Sequence, residues 1–152
     1  MRKWLKHLKN QKGLTLIELL AVVVILGIIA AIAVPAVGNI IDNSKKDAHV
    51  ANALLIINAA KLGVVSKDIN KSEITGSEVI TLSELVGKKL LDAIPSDPDS
   101  DAAYQNGQIN MDANGKYTIY LEGVNHKLGA SAASKISEAE LNSLGRSAVI
   151  NK

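Results

Sequence analysis

The sequence predicts an α+β fold in which one long N-terminal helix precedes a small head built on an antiparallel sheet. Two observations predict it. An apolar stretch from Leu19 to Val37 is followed by residues with helical spacing up to about Gly63. Farther along, residues 107–123 alternate between apolar and polar side chains in the way of a β-hairpin. The chain therefore combines one extended helix with a modest sheet.

Charge is distributed unevenly along the chain. The 152 residues include 17 basic and 15 acidic ones, a formal net charge of +2, and five of the basic residues precede Gly13. Without residues 1–13, 12 basic residues face 15 acidic ones, which gives −3. That balance provides no bulk attraction for phosphate backbones, so charge does not indicate nucleic-acid binding. The count of zero cysteines excludes disulfides, thiol nucleophiles and Cys-based zinc sites.

These features divide the chain into three parts. We expect residues 1–13 to be a basic leader that is removed, residues 14–41 to be a hydrophobic helix, and residues 42–152 to be a soluble head. The head includes the C-terminal half of the long helix. Such a chain has room for one modest domain after the apolar segment.

The apolar segment is long enough to cross a membrane. Leu19 to Val37 carries no charged residue and, at roughly 1.5 Å per residue, covers roughly 30 Å as a helix. The basic residues before it predict a cytoplasmic N-terminus. A plain signal anchor and a signal peptide cut after Ala33, in the A-x-A-like stretch Ala31-Ile32-Ala33, are the two ordinary interpretations.

Neither interpretation explains Glu18. A lone carboxylate in a membrane span costs at least about 2.5 kcal/mol, so it indicates a function and a partner. Cleavage after Gly13 would supply that partner, because it frees the amino group of Leu14, a cation with a reference pKa near 8. Between staggered parallel helices, the amine of one chain can meet the carboxylate of the next. Glu18 would then fix the register of the two helices.

The N-terminal segment closely resembles the signature of type IV pilins and of the related pseudopilins of secretion and competence systems. The resemblance covers Lys12 to about Asn39. The family most often begins its mature chain with Phe, where this chain has Leu. The matching positions are Gly13, Leu14, Thr15, Glu18 and Pro35.

The resemblance implies a structural subunit rather than an enzyme, with no catalytic, cofactor-binding or metal-binding residue. A prepilin peptidase would cut between Gly13 and Leu14 and methylate the Leu14 amine, and Glu18 would serve assembly. An assembly ATPase and a membrane platform would move subunits from the membrane into a filament of pilin subunits at the cell surface. The apolar helix, residues 14–41, would form the filament core.

The sequence leaves one preferred function and two alternatives. The absence of cysteine favours a Gram-positive surface pilus, whose subunit would serve adhesion, motility or surface interaction. The first alternative keeps the fold but makes the chain a pseudopilin of a competence DNA-uptake pilus or a type II secretion system. The second is a signal-anchored secreted enzyme or binding domain.

Pro35 predicts a kink in the long helix. It lacks an N–H, and its ring crowds the carbonyl of Ala31, so the helix should bend or loosen there with the help of Gly27 and Gly38. An ordinary membrane-helix proline is the simpler interpretation, which we prefer for the single chain. The family resemblance implies that the helix unwinds between Gly27 and Pro35 in the filament.

The head begins with the amphipathic part of the long helix. We expect the helix to end at Gly63 or in the polar run KDINKSEITGSE, and its buried face to follow steps of three and four residues. That face comprises Ala48, Ala51, Leu55, Ala59 and Leu62.

Capping boxes and a hairpin predict the remaining elements. Thr81 with Glu84 opens a helix over TLSELVGKKLLDA, and Ser137 with Glu140 opens another that Gly145 ends, with a brief strand at SAVI. Residues 107–123 form the hairpin with a three- or five-residue loop, because a two-residue turn would break its shared face. The residues of that face are Ile109, Met111, Tyr117, Ile119 and Leu121.

The remaining polar candidates predict no site. Asp97, Asp99 and Asp101 have the D-x-D rhythm of a calcium loop but lack its later glycine and glutamate, which favours a solvated acidic turn and leaves calcium binding as the alternative. His49 and His126 have no companion at metal-ligand spacing, so we expect surface histidines. Tyr120 should point outward, as ordinary surface.

Overall fold

The computed structural model describes residues 2–152, with side chains from Leu16 onward, and it consists of two compact units, Met1–Ile41 and Asp42–Lys152. The first element is a single long helix, α1 (Arg2–Ser66). A small antiparallel sheet follows it. The predicted fold class, a long N-terminal apolar helix with a small antiparallel-sheet head, is confirmed. The division at residues 13 and 41 into leader, filament core and head stays a prediction.

The sheet contains six short strands in the order β1-β2-β3-β4-β6, and β5 also pairs with β3. All of these pairs are antiparallel. Strands β4 and β5 therefore share one edge of β3. The strands are β1 (Ile80–Thr81), β2 (Asn106–Met111), β3 (Tyr117–Glu122), β4 (His126–Leu128), β5 (Ile136–Ser137) and β6 (Val149–Asn151).

Two short helices join these strands. They are α2 (Leu82–Gly87) and α3 (Glu138–Leu144), and both begin with the capping boxes that the sequence predicts. In each box, the N-cap side chain accepts from the third backbone N–H, and the glutamate accepts from the N-cap N–H. Gly145 ends α3 with a positive φ of 53°, as predicted. The predicted C-terminal strand is present as β6, after a 3₁₀ turn over Gly145–Ala148.

Helix α2 is shorter than the predicted span up to Ala93. Lys89 adopts a positive φ of 58°. The Leu90 N–H donates to the Leu85 carbonyl, and the Lys89 N–H donates to the Val86 carbonyl. This is a Schellman cap with lysine in the position that glycine usually occupies. The cap turns the chain so that Leu90 packs against the core. This contact forms between distant parts of the chain, so the local sequence does not predict it.

The hairpin has the predicted shared face. Met111 pairs with Tyr117, so five residues separate the strands, in agreement with the predicted loop length. The Asp112 N–H donates to the Lys116 carbonyl, and the Asp112 carboxylate accepts from the N–H groups of Asn114 and Lys116. Gly115 has a φ of +81°, which closes the loop in a conformation that glycine adopts without strain.

The predicted buried face of α1 is wrong in most of its residues, since only Ala59 is buried and Ala48 is half-buried. Leu55 and Leu62 are 50% and 59% exposed, and Ala51 is exposed as well. The run Leu54–Ile57 is apolar on every side of the helix, so spacing alone cannot select the face that the sheet covers. α1 ends at Ser66, which lies between the two predicted ends, three residues after Gly63 and directly before the polar run. The face that packs on the sheet consists of His49, Ala53, Ile56, Ile57 and Ala60.

Candidate functional site

The first candidate site is the apolar segment of α1. Every described side chain from Leu16 to Ile41 is exposed. Sixteen large apolar residues belong to this range, and each exposes more than half of its surface. Within the described residues, this is the helix that is long and apolar enough to cross a membrane. The segment thus carries a continuous apolar surface that the chain itself leaves uncovered.

The predicted processing and assembly residues lie at the start of this segment. Gly13 and Leu14 lie outside the residues whose side chains the structure describes, so their cleavage and methylation stay predictions. Glu18 is exposed on α1, between Ile17 and Leu19, which are both 63% exposed. Its carboxylate is available to a group from another molecule. The assembly function of Glu18 also stays a prediction.

Pro35 lies inside α1, which continues through it without a break. A side chain at Gly27 would have nothing within 4 Å. The structure therefore places both residues in helix with open surroundings, and their bending or unwinding in a filament stays a prediction.

The second candidate site is a buried cluster in the head, where the sequence predicted surface. The histidines are buried, with His49 1% and His126 5% exposed. The carboxylates of Asp97 and Asp99 are also buried, at 2% and 1% exposure of the side chain. The prediction of surface histidines and of a solvated acidic turn is therefore wrong. Asp101 alone of the three aspartates is exposed.

Three parts of the head bring these residues together. His49 lies on α1, on the face that includes Ala53 and Ile56. Asp97 and Asp99 lie in the turn after Pro95, where the Asp97 carboxylate accepts from the Asp99 N–H at 3.0 Å. His126 begins β4 and points to the same side of the sheet as the buried Leu128. Asp101 adopts a positive φ of 57° and is exposed, whereas the carboxylates of Asp97 and Asp99 are buried.

The Asp99 carboxylate is the centre of the cluster. Its Oδ2 atom lies 2.9 Å from Nδ1 of His126 and 3.2 Å from Nε2 of His49. The other nitrogen of each ring also has a partner. Nδ1 of His49 lies 2.7 Å from the Tyr104 hydroxyl, and Nε2 of His126 lies 3.2 Å from Oδ1 of Asp42.

Burial and hydrogen bonding set the charges in the cluster. Burial lowers the pKa of His49, although the hydrogen bond and the charge of Asp99 oppose that effect. Burial alone would raise the pKa of Asp99, but hydrogen bonds from His126 and from the Asn125 N–H outweigh it and lower the pKa. Burial raises the pKa of Tyr104, so its hydroxyl stays protonated. Neutral imidazole at His49 and a charged carboxylate at Asp99 are therefore the favoured forms.

The spacing of the two histidines from their apolar neighbours is a sequence signal for this cluster. His49 precedes Ala53, Ile56 and Ala60 by four, seven and eleven residues, which places it on the same helical face. His126 and Leu128 are two residues apart and share one face of a strand. With the correct face of α1, both histidines would have been expected in the core.

The comparisons with known proteins point to one family. Residues 8–34 match the family described as prokaryotic N-terminal methylation motif. The chain is 33% identical over 110 residues to a fimbrial protein of Neisseria meningitidis serogroup B, covering 70% of this chain and 62% of that protein. It is 30% identical over 110 residues to the type IV major pilin protein PilE of Neisseria gonorrhoeae, covering 70% of this chain and 64% of that protein. No solved structure gives a significant match.

The chain thus spans somewhat less than two thirds of the length of these two relatives. Both relatives are structural proteins and not enzymes. The predicted resemblance and the prediction of a non-enzymatic protein are confirmed. The comparisons do not test the predicted Gram-positive origin or a competence or secretion function.

Proposed function

We propose that the chain is a prepilin of the type IV pilin family, to which the matched motif and the two similar proteins point, and that its mature form assembles into an extracellular filament. The precursor lies in the cell membrane with its N-terminus in the cytoplasm. After processing, copies of the chain associate through their apolar helices at the cell surface. The filament serves adhesion, motility or surface interaction.

The observation that carries this proposal is the exposed apolar surface of residues 16–41. Covering one large apolar side chain is worth about 1.5 to 3 kcal/mol, so sixteen of them represent tens of kcal/mol. That exceeds the net stability of a folded domain, about 5 to 15 kcal/mol. Lipid can cover this surface before assembly, and the equivalent helices of neighbouring subunits can cover it afterwards.

Glu18 favours a filament over a plain membrane anchor. A carboxylate in a span is unfavourable in lipid and needs a cationic partner. Cleavage after Gly13 creates such a partner at the Leu14 amine, which a neighbouring subunit can present. The basic leader orients the precursor and prevents that pairing until the peptidase has acted.

The processing step is tested on protein recovered from cells that contain a prepilin peptidase. Intact mass and N-terminal sequencing should show a mature chain that begins at methylated Leu14. An uncut chain would support a signal anchor, and a start after Ala33 would support a secreted protein. Either of these two results would contradict the proposed function.

Assembly is tested by immunogold electron microscopy of surface filaments. Long filaments that contain the chain support a pilus. Loss of transformation or of protein secretion on deletion, without such filaments, would instead make the chain a pseudopilin. The expected partners in either case are the peptidase, an assembly ATPase and a membrane platform.

A further inference from the structure

We propose that His49, Asp99 and His126 form a binding site for a divalent transition metal, and that Zn²⁺ is the ion the ligand set fits best. One ligand atom from each residue lies within 4.8 Å of the other two. The three residues come from α1, from the turn after Pro95 and from β4, so one ion would link three parts of the head. The proposal concerns the head alone and does not depend on filament assembly.

The spacing of the ligand atoms fits a tetrahedral ion. Zinc bonds to nitrogen and oxygen are about 2.0 to 2.2 Å long, so two ligands of a tetrahedral site lie about 3.3 Å apart. Oδ2 of Asp99 is 3.2 Å from Nε2 of His49 and 2.9 Å from Nδ1 of His126. The ligand atoms of the three residues all lie within 4.8 Å of one another, so a small inward movement of the two imidazoles would bring all three to ligand distance of one ion.

The surroundings of His126 call for a positive charge. Its Nδ1 atom faces the Asp99 carboxylate, and its Nε2 atom faces Asp42 at 3.2 Å. A neutral imidazole has one N–H, so one ring nitrogen would direct a lone pair at a carboxylate. A metal ion on Nδ1 removes that repulsion and leaves the Nε2–H to donate to Asp42. Lys45, a third exposed, is 3.7 Å from Asp99 and neutralises it only in part.

Both imidazoles have outer partners of the kind that metal-binding histidines use. Such a histidine generally donates its second ring N–H to a carboxylate or another acceptor, which fixes the orientation of the ring. Asp42 accepts this hydrogen bond from His126, and the Tyr104 hydroxyl can accept it from Nδ1 of His49 at 2.7 Å.

The ligand types select the class of ion. Imidazole suits Zn²⁺, Co²⁺, Ni²⁺ and Cu²⁺, whereas Ca²⁺ takes six to eight oxygen ligands. The Asp97 carboxylate lies 3.6 Å from Nε2 of His49 and can take a fourth position, or water can do so. Gly123 keeps this space open, because a Cβ atom there would lie 2.7 Å from Oδ1 of Asp97 and 2.9 Å from Cε1 of His49.

The test uses the full chain in detergent micelles, stripped with a chelator and titrated with ZnSO₄ by isothermal calorimetry. His7, the one histidine of the sequence outside the cluster, is first replaced (His7→Gln) so that it contributes no Zn²⁺ binding. We expect one Zn²⁺ per chain, a rise in the Tm of the head, and no equivalent binding of CaCl₂. Absence of stoichiometric Zn²⁺ binding would overturn the proposal.

Variants then locate the ion. His126→Gln and Asp99→Asn should each weaken Zn²⁺ binding by at least tenfold, and Tyr104→Phe should weaken it by roughly 10- to 100-fold. Asp101→Asn is the matched control, because it removes a carboxylate from the same turn at a residue that is exposed. Binding unchanged in His126→Gln, or lost equally in Asp101→Asn, would overturn the assignment.

A spectroscopic measurement on the unaltered cluster tests the proposal even where a variant fails to fold. Co²⁺ bound in the same site should give the visible absorption of a four-coordinate ion, and X-ray absorption of the Zn²⁺ form should show two imidazole ligands. A spectrum with oxygen ligands alone would overturn the proposal whatever the variants do.

Discussion

At the scale of single residues, the surroundings of Glu18 and of Gly123 differ most in what they allow. Glu18 is exposed on α1 among apolar side chains, so the proposed cationic partner comes from another subunit. Gly123 is enclosed by the His–Asp cluster and has no room for a side chain. We therefore propose that Glu18 acts between molecules, whereas the contacts of Gly123 lie within one head.

We expect Glu18→Ala to leave cleavage after Gly13 largely intact but to prevent incorporation into filaments. The variant leaves the Leu14 amine of a neighbouring subunit without its carboxylate, and an uncompensated buried charge costs about 3 to 5 kcal/mol. Immunoblotting of sheared filaments against whole cells measures incorporation. Leu20→Ala, two residues along the same exposed surface, is the control and should assemble. Filaments of normal yield from Glu18→Ala would refute the register argument.

Gly123→Ala should destabilise the head by about 1 to 3 kcal/mol, the usual cost of overpacking a core. The added Cβ atom would push against Oδ1 of Asp97 and Cε1 of His49. Gly87→Ala is the opposite control, because a Cβ there meets nothing within 4 Å and alanine favours helix by about 0.5 to 1 kcal/mol. Urea unfolding followed by near-UV circular dichroism of the tyrosines compares the two. Equal stabilities would contradict the close packing at Gly123.

At the scale of elements, the sequence predicted correctly those features that depend on residues close together in the chain. The two capping boxes and the hairpin register depend on residues within a few positions of one another, and both were correct. The exposed face of α1 and the early end of α2 depend on which side the sheet covers, and both were missed. The cluster was missed for the same reason, because His49 and His126 meet only through the fold.

Thr81→Ala should cost about 1 kcal/mol of stability, since the N-cap hydroxyl accepts from the Glu84 N–H at the start of α2. Ser83→Ala, an exposed hydroxyl in the same helix, should change stability by less than about 0.5 kcal/mol. Urea unfolding of both variants measures the difference. Equal losses would show that the capping box contributes nothing beyond helix propensity.

The same box predicts a dependence on pH. The backbone N–H and the hydroxyl of Thr81 donate to the Glu84 carboxylate and lower its pKa in the folded chain. A lowered folded pKa stabilises the chain above the unfolded value, about 4.3, and this contribution disappears as pH falls through the folded value. The stability of Thr81→Ala should therefore fall less between pH 5 and pH 3, roughly the window these values span. An unchanged acid profile would contradict the assignment.

At the scale of the whole molecule, the two units differ in how their apolar side chains are covered. Residues 16–41 expose their apolar side chains and need lipid or other subunits. The head buries its own core, and its buried residues begin at His49. Removal of the proposed leader would change the formal net charge from +2 to −3, because the five basic residues before Gly13 would leave with it. The head therefore needs none of the first 41 residues for its core.

We accordingly expect residues 42–152 to fold without detergent as a soluble monomer. Among the residues whose side chains the structure describes, the truncation removes sixteen exposed large apolar ones and none that is buried, and it retains Asp42 beside His126. Sedimentation measures the oligomeric state, and near-UV circular dichroism measures the packing of the buried Tyr104 and Tyr117. A chain that starts at Ala51 is the matched control: it lacks His49 and should be less stable and bind Zn²⁺ less tightly. Aggregation or loss of near-UV signal in the longer chain would show that the head depends on the apolar segment for its fold.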